Sequence, residues 1–277
     1  MKSISTIVAN VLSIAGSDPS GGAGIQADLK TFSARGCYGM AAITALTAQN
    51  TQGVSAVQVV DPEFVAEQIR MIFADVRVDA VKIGMIANAG IARAVAGALR
   101  PHSTIPIVLD PVMIAKGGAA LLDPEAVCVL RDELLPLATL LTPNLPEAAV
   151  LLDESEAVSR EVMESQAVRL IQQGPRAILL KGGHLATTES PDILVSGERF
   201  HWFEAPRIVT KNTHGTGCAL ASAVAAELAK GLSILDAVAS AKDWLAGAVA
   251  TSGTLTVGSG TVGSGHGPVH HFHALWK

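Results

Sequence analysis

The chain has 277 residues, 49% hydrophobic and 16% charged, enough to bury one sizeable core, and α/β domains of this length often stand alone. Its formal net charge of −5, with no cluster of Lys or Arg, excludes a nucleic-acid surface or an anionic membrane as partner, because both need a concentrated positive field. A small molecule is the expected partner.

The segment Met1 to Asn10 carries Lys2, but polar residues break every apolar run, so it does not read as a signal peptide, and no later stretch is long enough to span a bilayer. Cys37, Cys128 and Cys218 are too few and too far apart for a disulfide framework or a C-x-x-C pair. That usage points to a reducing compartment, the cytoplasm by default. Buried strands are expected at Val11 to Ala15, Ala41 to Leu46, Ala80 to Ile83, Ile107 to Leu109, Leu140 to Thr142 and Ala177 to Leu180, each a short apolar run. Helical patterns follow them. Pro62 opens Glu63 to Phe73, Asn88 caps Ala89 to Leu99, Pro124 opens Glu125 to Leu135 and Pro146 opens Glu147 to Leu152. The alternation predicts one α/β domain over residues 1–277, a mostly parallel sheet with helices on both faces. Ligands of such sheets bind beyond the carboxyl ends of the strands, where Gly16, Gly84, Asp110, Asn144 and Lys181 fall.

Two short runs about Gly197, within Asp192 to Phe203, read as a hairpin appended to the sheet. Two Ala-rich cover helices are expected next, Cys218 to Lys230 with the stripe Leu220, Val224 and Leu228, and about Ile234 to Val249. From Ser252 to Pro268 the chain is rich in Gly and Ser and holds the tandem T-V-G-S-G at Thr256 to Gly260 and Thr261 to Gly265, read as a duplication that a loop tolerates.

Two glycine clusters carry the chemistry. The first, Gly16-Ser17-Asp18-Pro19-Ser20-Gly21-Gly22-Ala23-Gly24, leads into a helix near Ile25 and lets a ligand approach backbone. Gly22 to Ala27 also fits G-x-G-x-x-A, but four residues separate Gly16 from the later glycines and no acidic residue follows Asp28 until Asp61. That context opposes a dinucleotide fold. The second cluster, Lys211-Asn212-Thr213-His214-Gly215-Thr216-Gly217-Cys218, stands directly before an Ala-rich helix. The amides of Gly215, Thr216 and Gly217 would converge there with the positive end of a helix dipole, which suits a phosphate; an ordinary tight turn into a helix is the competing reading. No G-x-x-x-x-G-K-[ST] occurs, so a P-loop is excluded.

These clusters, with I-T-A-L-T-A-Q-N-T (Ile43 to Thr51), K-I-G-M (Lys82 to Met85), L-D-P-V-M (Leu109 to Met113), T-P-N-L-P-E-A (Thr142 to Ala148), K-G-G-H (Lys181 to His184) and G-P-V-H-H-F-H (Gly267 to His273), resemble the hydroxymethylpyrimidine and phosphomethylpyrimidine kinases of thiamine biosynthesis. The resemblance covers nearly the whole chain. It implies a ribokinase-like three-layer α/β/α sandwich, ATP with magnesium, a homodimer, and phosphorylation first of 4-amino-5-hydroxymethyl-2-methylpyrimidine and then of its monophosphate.

By the same resemblance the pyrimidine pocket would be formed by Gly16, Ala23, Asp28, Gln49, Met85, Val112 and Cys218. The carboxamide of Gln49 offers a donor and an acceptor to an aminopyrimidine edge, and Met85 a polarizable wall. Asn144 and Glu147 would serve the magnesium and phosphate site, the metal held through water, although N-x-x-E at a helix start is equally a cap. Lys181 would neutralise ATP phosphate oxygens, and Asp110, Thr210 and Thr216 would lie on the nucleotide side. Gly215, Thr216 and Gly217 would form the anion site. Cys218 occupies the position at which related vitamin and sugar kinases carry the Asp base. A helix N-terminus lowers a thiol pKa, so Cys218 is expected either to take the hydroxyl proton or to position the alcohol. His266, His270, His271 and His273 lack the spacing of a zinc site. Two other readings stay open at this stage, a pyridoxal kinase on the same scaffold and a catalytically silent metabolite-binding protein.

Overall fold

The computed structural model describes residues 7–113, 122, 124–258 and 266–276. Strand β1 (Asn10–Ala15) leads through helix α1 (Gly24–Ala34) to β2 (Tyr38–Ile43). A ribbon follows, β3 (Ala45–Asn50) and β4 (Gly53–Val59), then α2 (Pro62–Asp75), β5 (Ala80–Ile83), α3 (Ala89–Leu99) and β6 (Ile107–Leu109). The second half runs α4 (Pro124–Val129), β7 (Leu140–Leu141), α5 (Leu145–Leu152), α6 (Arg160–Ile171), β8 (Ala177–Lys181), β9 (Asp192–Ser196), β10 (Arg199–Phe203), α7 (Thr216–Ala229) and α8 (Ile234–Ala250).

The eight-stranded sheet has the order β10-β9-β8-β7-β6-β5-β1-β2. Its pairs from β2 to β8 are parallel, and β9 and β10 close the far edge as an antiparallel hairpin. Side chains alternate strictly between two cores. Leu12, Ile14, Val81, Ile83, Leu109 and Leu180 pack against α2 to α6; Val11, Ala80, Val108, Leu140 and Leu179 pack against α1, α7 and α8. Period-two alternation with apolar residues on both faces is what a sheet covered by helices on both sides requires, at roughly 1.5–3 kcal/mol per fully buried Leu or Ile.

Several local expectations change. Ala41 to Leu46 is two strands rather than one, because the chain leaves the sheet at Thr44, whose hydroxyl donates to the Met85 carbonyl at 2.7 Å. β3 and β4 then form a separate two-stranded antiparallel sheet with a register shift between Ala48 and Gln49. Sequence reading missed β4, which is almost wholly exposed and so leaves no buried apolar run. It also named no helix at α6. Glu125 to Leu135 is α-helical only to Val129, then widens to a π turn over Leu130–Leu134 and tightens to a 3₁₀ turn at Leu135–Leu137. Pro136 lies inside that last turn, where it cannot donate an amide to an α-helical ladder. The tandem T-V-G-S-G lies outside the described residues from position 259 onward.

The chain steps from β1 to β2 on one side and returns to β5 on the other side of β1. That reversal opens a crevice at the carboxyl ends of β1 and β5, the usual ligand position in such sheets.

Candidate active site

The crevice is a cleft of about 1360 Å³ that runs along the carboxyl ends of the strands. At the β1/β5 end it is lined by Gly16, Ala23, Gln49, Met85 and Val112; over β6 to β8 by Asp110, Asn144, Glu147, Lys181 and Gly215 to Cys218; towards the β9–β10 edge by Trp202, Phe203, Ile208 and Lys242. All but two of the residues given a catalytic, substrate or nucleotide role from sequence share this one cavity. The two are Asp28 and Thr210. Asp28 is fully buried behind the cleft, in the layer between the sheet and α7. Thr210 lies in the loop approaching α7, where its hydroxyl accepts the Asn212 amide at 3.1 Å.

The loop after β1 is shaped by a single carboxylate. Asp18 accepts the Ser20 amide at 2.9 Å and hydroxyl at 2.6 Å on one oxygen, and on the other the Gly22 amide at 3.2 Å, the Ala23 amide at 2.8 Å and His214 Nε2 at 2.8 Å. Burial alone would raise its pKa, but the bonds from His214, Ser20 and Ala23 outweigh burial and hold it at about 2. Two glycine-rich loops therefore interlock. A Cβ on Gly215, which has φ +75°, would lie 1.8 Å from the Gly22 carbonyl oxygen, and one on Gly22 would lie 2.3 Å from the His214 ring. Only glycine fits either place.

Gly215 is the N-cap of α7 and leaves the first turn without a side-chain cap; its opening amides have no partner within the helix, and that of Thr216 donates to the Thr213 carbonyl at 3.4 Å. Lys181 Nζ stands over that turn, 3.4 Å from where a Cβ of Gly217 would be, and bonds Asp110 Oδ1 at 3.1 Å. Burial works against the Lys181 ammonium, yet the Asp110 and Glu147 carboxylates outweigh it and its pKa ends above the ordinary lysine value. Asn144 and Glu147 form a reciprocal cap at the start of α5: Asn144 Oδ1 accepts the Glu147 amide at 2.8 Å and Glu147 Oε2 the Asn144 amide at 2.9 Å. The cap reading of N-x-x-E is therefore present, and it aims a buried carboxyl into the cleft. Burial first, then the Asp110 charge, push the Glu147 carboxyl up to about 7 against the pull of Lys181. Two carboxylates beside one ammonium suit a further cation, so these residues fit a water-held magnesium ion.

Cys218 departs from expectation. It opens onto the cleft, yet protein surrounds its sulfur, and burial pushes the thiol up to about 11 while Lys82 pulls down and Asp28 and Asp110 push up. The helix N-terminus does not deliver a thiolate here, because desolvation outweighs the dipole. At neutral pH Cys218 is an S–H group that faces the acceptor end.

Asp18, His214 and Lys82 also line the cleft and were given no role by the sequence reading. Each left a trace: Asp18 precedes Ser20 and Gly21 as turn-forming Asp does, His214 sits in the second glycine cluster, and Lys82 is a lone charge inside an apolar strand.

The model of the family described as phosphomethylpyrimidine kinase matches residues 18–270. The chain belongs to that family. It is 54% identical over 267 residues to the hydroxymethylpyrimidine/phosphomethylpyrimidine kinase of Escherichia coli, covering 96% of this chain and 98% of that protein. Among solved structures, phosphomethylpyrimidine kinase from Clostridium difficile is 42% identical with a TM-score of 0.77, over 86% of this chain and 98% of that one. An ADP complex of Bacillus subtilis pyridoxal kinase is 34% identical with a TM-score of 0.86, over 97% of this chain and 99% of that one. The ribokinase-like fold expected from sequence is thus the fold observed, and membership makes the chain a kinase of thiamine biosynthesis.

Proposed function

We propose that this protein moves the terminal phosphoryl group of ATP onto the hydroxymethyl group of 4-amino-5-hydroxymethyl-2-methylpyrimidine and then phosphorylates the monophosphate, as one kinase domain over the whole chain. One observation carries this reading: the acceptor side and the anion side share one cavity, with Gln49 Nε2 3.5 Å from His214 Nε2, directly before Gly215. In this reading Gln49, Met85, Gly16, Ala23 and Val112 hold the ring, and Asp28 supports the pocket from behind. The amides of Gly215, Thr216 and Gly217, with Lys181, stabilise charge on the phosphoryl group in flight. Asp110, Asn144 and Glu147 hold the magnesium ion, which when bound neutralises phosphate charge; Thr216, and through its loop Thr210, serve the nucleotide side. Cys218 positions the alcohol as a neutral thiol. Phosphoryl transfer is largely positioning and electrostatics, so a weak base suffices.

The protein acts in the cytoplasm as a homodimer, a reading supported by Leu46, Val57 and Val59 on the exposed ribbon of β3 and β4; among the described residues no helix is long and apolar enough to cross a membrane. Incubation with ATP, magnesium and the pyrimidine is expected to give mono- and diphosphate by mass, and absence of both refutes the reading. A second reading, phosphorylation of pyridoxal, is favoured by the likeness to pyridoxal kinase; the ratio of kcat/KM for the two alcohols decides between them.

A further inference from the structure

Beyond Lys181 the cleft is lined by the loop that joins β8 to β9, through Gly183, His184 and Ser190, and by the segment after β10, through Ala205, Arg207 and Ile208. One side chain joins the two. Arg207 donates from Nε to the Thr187 carbonyl at 3.2 Å, from Nη1 to the Gly183 carbonyl at 2.9 Å, and from Nη2 to the Leu185 and Glu189 carbonyls at 2.8 and 3.2 Å. Backbone bonds run alongside, the Ser190 amide to the Ala205 carbonyl at 2.9 Å and the Arg207 amide to the Thr188 carbonyl at 3.3 Å. Four of the five guanidinium N–H groups thus end on carbonyl oxygens of one loop, a convergence that a planar fork satisfies and a point ammonium does not.

The same bonds leave the charge of Arg207 without a counter-ion. Of the Lys and Arg side chains that line the cleft, Lys82 pairs with Asp28, Lys181 with Asp110 and Lys242 with Asp192. Arg207 meets carbonyls instead, and among the described residues no carboxylate stands within ion-pair distance of it. Its field is felt beside Lys181: burial first lowers the pKa of the His184 imidazole, and Lys181 and Arg207 add to that fall against the opposing charge of Glu156.

We propose that Arg207 is a positioning residue for the nucleotide: its fork folds the β8–β9 loop into the rim of the cleft beyond Lys181, and its uncompensated positive charge favours the polyphosphate chain laid along that rim. The inference rests on the kinase reading above and deepens it. With the acceptor at the β1/β5 end and transfer at Lys181 and the amides of Gly215 to Gly217, the rest of ATP must extend towards the β9–β10 edge, past the loop that Arg207 holds.

The test uses wild type, Arg207→Lys, which keeps the charge and loses the fork, and Arg207→Gln, which loses the charge and most of the donors. Each is assayed with ATP, magnesium and hydroxymethylpyrimidine, and ADP binding is measured by calorimetry without acceptor. KM for ATP and Kd for ADP are expected to rise about tenfold in Arg207→Lys and further in Arg207→Gln, the scale of one lost hydrogen bond to a charged group, while KM for the pyrimidine stays within about twofold. An arginine that merely supports the fold would move both KM values together. Should Arg207→Gln fail to fold, Arg207→Lys carries the same readouts. Nucleotide constants close to those of wild type, an equal rise in both KM values, full rescue by Lys, or a wild type that binds no ADP overturns the proposal. A wild-type protein that binds ADP but yields no phosphorylated product sinks the kinase reading instead, and the calorimetric series then still decides the role of Arg207.

Discussion

The ammonium of Lys82 bonds both carboxylate oxygens of Asp28, each at 2.9 Å, with neither side chain exposed to solvent. The Ser13 hydroxyl at 2.6 Å and the Ser222 hydroxyl at 2.7 Å complete the shell of Asp28. One carboxylate thus ties β1, β5, α1 and α7 together, one helical turn beyond Cys218. Burial works against the Lys82 charge, and Asp28 more than offsets it.

Removal of one partner leaves the other as a bare buried charge. Lys82→Met is expected to destabilise the protein by about 3–5 kcal/mol in urea unfolding, and Lys82→Met combined with Asp28→Asn to recover a large part of that loss. A double variant as unstable as the single would show that packing, not charge, dominates at this point.

At Gly215 two constraints act at once. The φ of +75° and the 1.8 Å approach to the Gly22 carbonyl mean that Gly215→Ala must move one glycine loop away from the other. Its kcat is expected to fall by roughly 10²-fold or more, the scale seen when an oxyanion donor is displaced. Steady-state kinetics at saturating ATP and acceptor read this directly, and near-normal kcat would contradict the assigned anion site.

Asp18 makes stability pH-dependent at the acid end. Its folded pKa of about 2 lies below the ordinary carboxylate value of 3.8, so its contribution is fully present above about pH 4 and is lost as pH falls through about 2. Wild type should therefore exceed Asp18→Asn in stability at neutral pH by about 1–2 kcal/mol, with the gap closing below pH 4. Melting temperatures of both proteins between pH 2 and 7 test the sign.

The Cys218 thiol, pushed up to about 11, carries only about one thiolate in ten thousand at pH 7. Iodoacetamide labelling in a Cys128→Ser background, which removes the exposed thiol, should stay slow at pH 7 and climb beyond pH 10. Cys218→Ser is expected to lose less than about tenfold in kcat, because a hydroxyl also positions an alcohol. A pH–rate limb near 8 that vanishes in this variant would restore the base assignment.

Buried strands were the readable part of the fold. Ala80–Ile83 and Ile107–Leu109 match their apolar runs residue for residue, and Asn88 caps α3 through the Ile91 amide at 2.9 Å. The ribbon of β3 and β4 was not readable, since its strands bury almost nothing. The site divides in the same way. Lys181 and Gly215 to Cys218 were identifiable because they stand at a strand end and a helix start, and Gln49 only through the family resemblance, whereas Asp18 and His214, 196 positions apart, gain meaning only when the loops meet.

By itself the sequence determined the layered α/β architecture, the two glycine-rich turns and the family, because periodicity, capping and motif spacing are local properties of the chain. Tertiary structure alone decided the charge states: the same helix start that should acidify Cys218 instead buries it beside Asp28 and Asp110, and Glu147 shares its surroundings with Asp110 and Lys181. Desolvation and through-space fields depend on what packs around a group, which no local pattern encodes.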